Sequence, residues 1–297
     1  MTIRERLREQ EPTLSFELFP PRSPAAEEML GRTMRAIVAT RPDFISITYG
    51  ASGSTQGASR SVVQRVAQEH NVPPLAHLTC VGQSRGDLRA VIEGYLEDGV
   101  RDFLALRGDA PQGQSGWHPH PDGLVYASDL VRFLRETAHA HGVDDLSVGV
   151  AAFPAQHAVE RYRQTALDVL KAKQDAGADF AITQVFYEVA HYTGLVAAAR
   201  ERGITIPIIP EVMPLVSAQR ARRAAQITDV PTPQSLVAAL DAAATDDEAR
   251  ATGVAHAAGL ARQLLDAGAP GIHVITFNRH DAAVELVDRL PLSGHRA

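Results

Sequence analysis

Cysteine is almost missing from this chain: 297 residues contain one, Cys80. A lone thiol closes no internal disulfide and finds no cysteine partner for a zinc site, so Cys80 reads as a core residue. Long apolar runs are missing too, and no stretch is fit to span a bilayer. The N-terminus, MTIRERLREQEP, is charged and amphipathic rather than a secretory leader, which leads us to expect a cytoplasmic protein away from membranes. No basic block occurs, and 29 lysines and arginines stand against 35 acids for a net charge of −6. Nucleic acid is not an expected partner.

Signature loops are equally scarce. The Gly/Ser-rich segment YGASGSTQGAS fits neither the dinucleotide G-x-G-x-x-G nor a P-loop, and reads as an active-site loop or a surface turn. The G-x-S-x-G spacing occurs once, at Gly82–Gly86, and is not taken as a nucleophile elbow; no cysteine–histidine pairing is present. His118 and His120 lie two apart in GWHPHPDG, but no third ligand stands at a useful spacing, so no metal is expected. A missing nucleophile favours chemistry borrowed from a cofactor.

With 45% hydrophobic and 22% charged residues the chain can bury a full core. Eight β-rich apolar runs fall near 13–19, 44–50, 74–80, 102–108, 147–153, 180–186, 206–212 and 271–277. Helix-period segments separate them, at 25–40, 60–70, 84–98, 124–141, 159–176, 189–202 and 216–226, with a last one at 281–290. The interval between the seventh and eighth runs is too long for one helix, and Pro231 and Pro233 break it into two or three. This pattern predicts an α/β fold, a (β/α)8 TIM barrel with extra helices between strands 7 and 8, as a single domain over 1–297. A doubly wound open sheet is the alternative.

In such a barrel the chemistry sits where strands end. Glu17, Thr48, His77, Asp109, His157 and Gln184 lie in or just after six different runs, which points to one shared cavity. Within LSFELFPP, alternation puts Ser15, Glu17 and Phe19 on one face and Leu14, Phe16 and Leu18 on the other. Glu17 is then either a solvated strand residue or an enclosed acid whose raised pKa keeps a proton near neutral pH. In LRGDAP, Gly108 permits close backbone approach and Asp109 would sit at the mouth, although the same residues make ordinary turns.

Taken together, SFELFPP, DFISITYGASGST, AHLTC, LALRGDAP, YASDL, GVAAFPAQH, DAGADFAITQVFY, IIPEVMP and GIHVITFNR resemble the methylenetetrahydrofolate reductases of the bacterial type, in order from about residue 14 to 279. The resemblance implies a (β/α)8 barrel that binds FAD. It implies reduction of 5,10-methylenetetrahydrofolate to 5-methyltetrahydrofolate with NADH or NADPH, feeding methionine synthesis, in a protein that forms a homo-oligomer.

By that resemblance the general acid falls on Glu17, the aspartate near flavin and folate on Asp109, and the glutamine that serves pterin and nicotinamide in turn on Gln184. The flavin contacts fall on Thr48, Ala51, His77, Arg107, Gly108 and Asp109. They continue with Tyr126, Ala127, His157 and Lys173, and Phe153 stands where a tyrosine is common. The folate is expected at Glu17, Thr48, Asp109, Gln184, Gln219 and Arg279, the last as a fork for its glutamate tail.

Four departures accompany the match. Ala166 occupies a position where an aspartate can hold the adenosine ribose, Glu211 stands where many members have glycine, Arg220 competes with Gln219 for one alignment, and about Ala224 replaces an aromatic. Two other readings stay open: a flavin-free reductase passing hydride directly from NAD(P)H, and a non-catalytic ligand-binding barrel.

Overall fold

The computed structural model describes residues 1–9, 11–49, 56–108, 120–154 and 160–292; for 56 and 160–163 it describes the backbone alone. The strands are β1 (Thr13–Leu18), β2 (Phe44–Ile47), β3 (Pro74–Thr79), β4 (Asp102–Leu106), β5 (Ser147–Ala152), β6 (Phe180–Thr183), β7 (Ile208–Ile209), β8 (Glu211–Val212) and β9 (Gly271–Ile275). All their pairings are parallel. Their order is β7-β6-β5-β4-β3-β2-β1-β9-β8. Because β7 and β8 are consecutive in the chain, the two ends of this order meet and the sheet closes into a barrel.

The expected seventh strand is thus one strand cut in two by Pro210. Proline carries no N–H and cannot donate to the ladder. Its carbonyl still accepts from His273 N at 3.0 Å, so the strand turns from β6 below the proline to β9 above it. Three helices fill the long interval before β9: α8 (Ala218–Thr228), α9 (Gln234–Ala242) and α10 (Asp246–Asp266). The fold is the (β/α)8 barrel with extra helices between its seventh and eighth staves.

Alternation sorts the side chains as the pleat requires. Leu14, Phe16 and Leu18 join the large apolar layer between sheet and helices, while Ser15 and Glu17 turn inward. Helix α2 (Pro24–Ala39) starts on a Ser23 cap with Pro24 in its first turn. It sends Leu30, Met34 and Ile37 into the same layer at helical spacing. The barrel interior is filled by Phe44, Leu75, Leu104, Phe180, Ile182 and Ile209. A Cβ on Gly149 would stand 2.6 Å from the Phe180 ring, so only glycine leaves that ring its place on the axis.

One element has no counterpart among the expected helices. Residues Ile3–Arg6 form α1, closed by a reciprocal cap between Thr2 and Glu5. Ile3 is fully buried with the interior side chains, and its N–H donates to Asp102 Oδ1 at 2.8 Å. The first residues therefore plug the bottom of the barrel, opposite the mouth. No helix among the described residues is long and apolar enough to cross a membrane.

Candidate active site

Glu17, one residue before the end of β1, points into the cup and is 8% exposed. Thr48, just past β2, donates its hydroxyl to Glu17 Oε1 at 2.6 Å and is itself fixed by Thr48 N to Leu18 O at 2.9 Å. No ion pair reaches Glu17 among the described residues. Desolvation pushes its carboxyl up to about 7, with the Thr48 bond pulling the other way. Of the two sequence-level readings, solvated strand residue or enclosed acid, the geometry is that of the enclosed acid.

Below and beside it lies a polar layer. His273 on β9 bonds Ser15 Oγ through Nδ1 at 2.8 Å and Ser46 Oγ through Nε2 at 3.1 Å. Burial depresses both His273 and His77 to about 3, so both rings are neutral. His77 Nε2 and the Thr79 hydroxyl, on the same face of β3, are buried without a hydrogen-bond partner among the described residues. An orphaned buried polar atom costs on the order of 1–3 kcal/mol. Two of them on one strand at the mouth form a place for a polar ligand.

Glu211, the first residue of β8, is the second carboxyl of the cup and is 9% exposed. One carboxyl oxygen of Glu17, one of Glu211 and a ring nitrogen of His273 lie within 4.8 Å of one another. That spacing would suit a cation, but both imidazole nitrogens are already held by serines. Burial and the neighbouring Glu17 charge push the Glu211 carboxyl well up, and the arrangement is one of proton-bearing groups.

The family profile described as methylenetetrahydrofolate reductase matches residues 2–291. The chain belongs to the methylenetetrahydrofolate reductase family. It is 33% identical over 278 residues to the 5,10-methylenetetrahydrofolate reductase of Pectobacterium carotovorum, covering 93% of this chain and 89% of that one. For the Escherichia coli K12 protein of the same name the values are 32%, 93% and 90%. Methylenetetrahydrofolate reductase 1 of Schizosaccharomyces pombe is 34% identical over 94% of this chain, which spans only 46% of that relative's length. Among solved structures, a Clostridium thermocellum protein described as binding two copies of 5-methyl-5,6,7,8-tetrahydrofolic acid overlays with a TM-score of 0.65. At 16% identity, over 98% of this chain and 97% of that one, it attests the fold alone.

As a member of this oxidoreductase family, the chain gathers several of its expected contacts around the mouth. Gln184 follows β6; its amide nitrogen bonds Ala152 O at 2.8 Å and its side-chain oxygen accepts from Val185 N at 2.9 Å. Lys173 is buried, donates to Ala151 O at 2.7 Å, and sits 5.7 Å from the centroid of the half-exposed Phe153 ring. Desolvation lowers its ammonium to about 8. Arg107 and Tyr126 are exposed, and Ala127 opens helix α5 (Ala127–Ala140). Gly108 has φ +86°, and a Cβ there would lie 2.5 Å from Val81 Cγ1, so its need is a left-handed turn packed on β3's end. Ala51, Asp109 and His157 lie outside the described residues, as does His118.

Gln219 and Arg279 are exposed on the α8 side of the mouth. Arg220, half-buried there, lies over the Phe277 ring at 6.0 Å and is pressed downward in pKa by burial and by Arg279. These two arginines with Pro214, Thr276 and Phe277 line a small hollow of about 50 Å³. Ala224 is buried, in one apolar cluster with Val230 and Leu236.

Two features escaped the sequence reading. Asn278 ties the residue after β1 to the loop after β9, its Oδ1 accepting from Phe19 N at 2.9 Å and its Nδ2 donating to Phe19 O at 2.8 Å. Phe277 and Asn278 both adopt left-handed backbone, φ 50° and 55°, and the rings of Phe19 and Phe277 stack at 5.8 Å. The other is the approach of Glu211 to Glu17, for which only the odd glutamate in IPEVMP gave a signal.

Proposed function

We propose that this chain reduces 5,10-methylenetetrahydrofolate to 5-methyltetrahydrofolate with NADH or NADPH through a bound FAD, in the supply of methyl groups for methionine. The observation that carries the reading is Glu17: an enclosed carboxyl, held by Thr48 and keeping its proton to about neutral pH, at the mouth of a reductase-family barrel. A folate-binding neighbour of the same fold agrees with the substrate class. We read residues 1–297 as one catalytic domain. A cytoplasmic setting and a homo-oligomeric assembly belong to the same reading and rest on the family resemblance.

The residues of the cup fit a flavin. Its polar ring edge needs hydrogen-bond partners, and His77 Nε2 and Thr79 Oγ1, buried without a partner among the described residues, would supply them. Phe153 offers an exposed ring, and Arg107 and Lys173 offer cations for the phosphates. When bound, FAD supplies a carrier that accepts hydride from the nicotinamide and passes it to the folate.

The protein's own part is proton placement. Opening the five-membered ring that bridges two folate nitrogens leaves one nitrogen in need of a proton and creates an iminium that accepts hydride. Glu17, which keeps its proton up to about pH 7, supplies that proton, a contribution of about 10²- to 10⁴-fold. Gln184 is assigned to orient pterin and nicotinamide, since an amide can both donate and accept. Arg279 is assigned to the folate's glutamate tail, and Asp109 to tuning the cofactor and favouring the cation.

Anaerobic mixing of the purified protein with each nicotinamide, then with methylenetetrahydrofolate, tests this. The expected result is a yellow protein bleached by NADH or NADPH and recoloured by the folate. A colourless protein that still oxidises NAD(P)H with folate would establish direct transfer instead, and a protein inert to folate would refute both.

A further inference from the structure

Glu17 shares its enclosure with a second acid, and no countercharge among the described residues offsets it. Glu211 reaches the cup from the opposite flank of β9, where its Cα is in register with His273, and Glu17 is in register with Ile275. Its amide is held by Thr183 Oγ1 at 3.0 Å, so the residue is seated and not adrift. Among the described residues neither carboxyl has an ion pair. Oxygens of the two lie within 4.8 Å, a gap that one hydrogen-bonded water spans.

Among the described residues, the groups that face the pair give it no positive charge. From β1 and β2 come the hydroxyls of Ser15, Ser46 and Thr48, from β6 that of Thr183, and from β3 and β9 the two neutral imidazoles of His77 and His273. Lys173 is turned to Ala151 O, and Arg220 and Arg279 act on each other. Two carboxylates this close in a desolvated cup cannot both ionise near neutrality, because the second charge meets the first with little solvent between. Their protons belong to the pair and leave in two separated steps.

We propose that Glu17 and Glu211 act as one two-carboxyl acid, in which Glu211 is a positioning residue that keeps a proton on offer to Glu17 where a lone buried glutamate would have lost it. This rests on the reading of Glu17 as the acid of folate reduction. In the step, the Glu17 O–H bond breaks as the N–H bond forms on the opened folate. The Glu211 proton then moves to Glu17, directly or through one water, and the pair regains one proton from solvent per turnover. No electrons move within the pair.

The test pairs an activity-independent readout with a kinetic one. The carboxylic C=O infrared band is followed through neutral and alkaline pH in wild type, Glu211→Gln and Glu211→Asp. Wild type should keep a protonated-carboxyl signal well above neutrality, Glu211→Gln should lose its last one near pH 7, the value for Glu17, and Glu211→Asp should stay close to wild type. In stopped flow, the ratio of folate step to nicotinamide step in Glu211→Gln should fall about tenfold for each pH unit by which its alkaline limb moves down. An infrared step that does not move in Glu211→Gln overturns the pair. A step that moves without the kinetic limb overturns its use in catalysis. A wild type that reduces no folate overturns the proposed function instead, with the infrared titration still deciding whether the pair exists. If Glu211→Gln does not fold, Glu211→Ala removes the buried carboxyl and is read in the same way.

Discussion

The hydroxyl of Thr48 donates to Glu17 Oε1 at 2.6 Å across adjoining strand ends. A donor on a carboxyl oxygen favours the ionised form, so this bond holds the Glu17 pKa below where burial alone would put it. Thr48→Val, nearly isosteric, should therefore shift the alkaline limb of the folate half-reaction to higher pH, opposite in sign to Glu211→Gln. Stopped-flow pH profiles of the two variants check this; a common direction would contradict it.

Glu17→Gln keeps the shape of the side chain and removes its proton. The nicotinamide half-reaction should run at close to its normal rate, and the folate half-reaction should slow by about 10²- to 10⁴-fold. Single-turnover measurements of each half separate the outcomes. Equal slowing of both would remove Glu17 from the role of acid.

Glu17 also imposes a pH dependence on stability. Its folded value of about 7 lies above the ordinary 4.5, so its contribution is fully present below 4.5 and is lost as pH rises through 7. The gap corresponds to about 3 kcal/mol. Denaturant melts of the ligand-free protein should show Glu17→Gln gaining on wild type between pH 4.5 and 7. His77 and His273 act with the opposite sign, destabilising wild type and variant alike as pH falls from 6.5 towards 3, so the difference between the two proteins reports the Glu17–Glu211 pair.

Asn278 carries two hydrogen bonds to the Phe19 backbone from a left-handed conformation that asparagine tolerates well. Asn278→Ala loses both bonds and places a Cβ-bearing residue with no compensating side-chain bond at φ 55°. A loss of about 2–3 kcal/mol is expected, read as a lower denaturation midpoint. A midpoint within error of wild type would show that the tie does not hold the two loops.

Ile3 closes the bottom of the barrel. Ile3→Ala should cost about 2–4 kcal/mol through the cavity it leaves, with the pH profile of the folate step unmoved because the plug lies at the far end from Glu17. Calorimetry together with that profile tests the separation of the two ends.

Much of the barrel was legible because each stave carries its own signal. SFEL alternates, FLAL and SVGV are short apolar runs, and the helices between repeat their buried positions at three and four residues. Strand ends were less legible: the runs were read to Gly50, Gly108 and Phe186, but the ladder stops at Ile47, Leu106 and Thr183. At the mouth the polar residues Thr48 and Gln184 leave the ladder to make other bonds. The cut at Pro210 was not read, because the apolar run IPIIPEV continues through the proline. The bottom plug was missed although Thr2 and Glu5 spell a capping box, since four residues carry too little periodicity.

For the site, Glu17 was legible as a carboxylate on the inward face of a strand. Its relation to Glu211 was not, because 194 residues separate the two and only barrel closure through β8, β9 and β1 brings them together. The Asn278 tie was hidden for the same reason.

The interrupted stave has a mechanical consequence. Above Pro210 the rim bearing Glu211 is laced to β9 by peptide hydrogen bonds, whereas toward β6 the Thr183 hydroxyl takes the place of the ladder. The cup thus has a seam: at this height one side-chain hydrogen bond stands where the adjoining stave is joined by a peptide ladder.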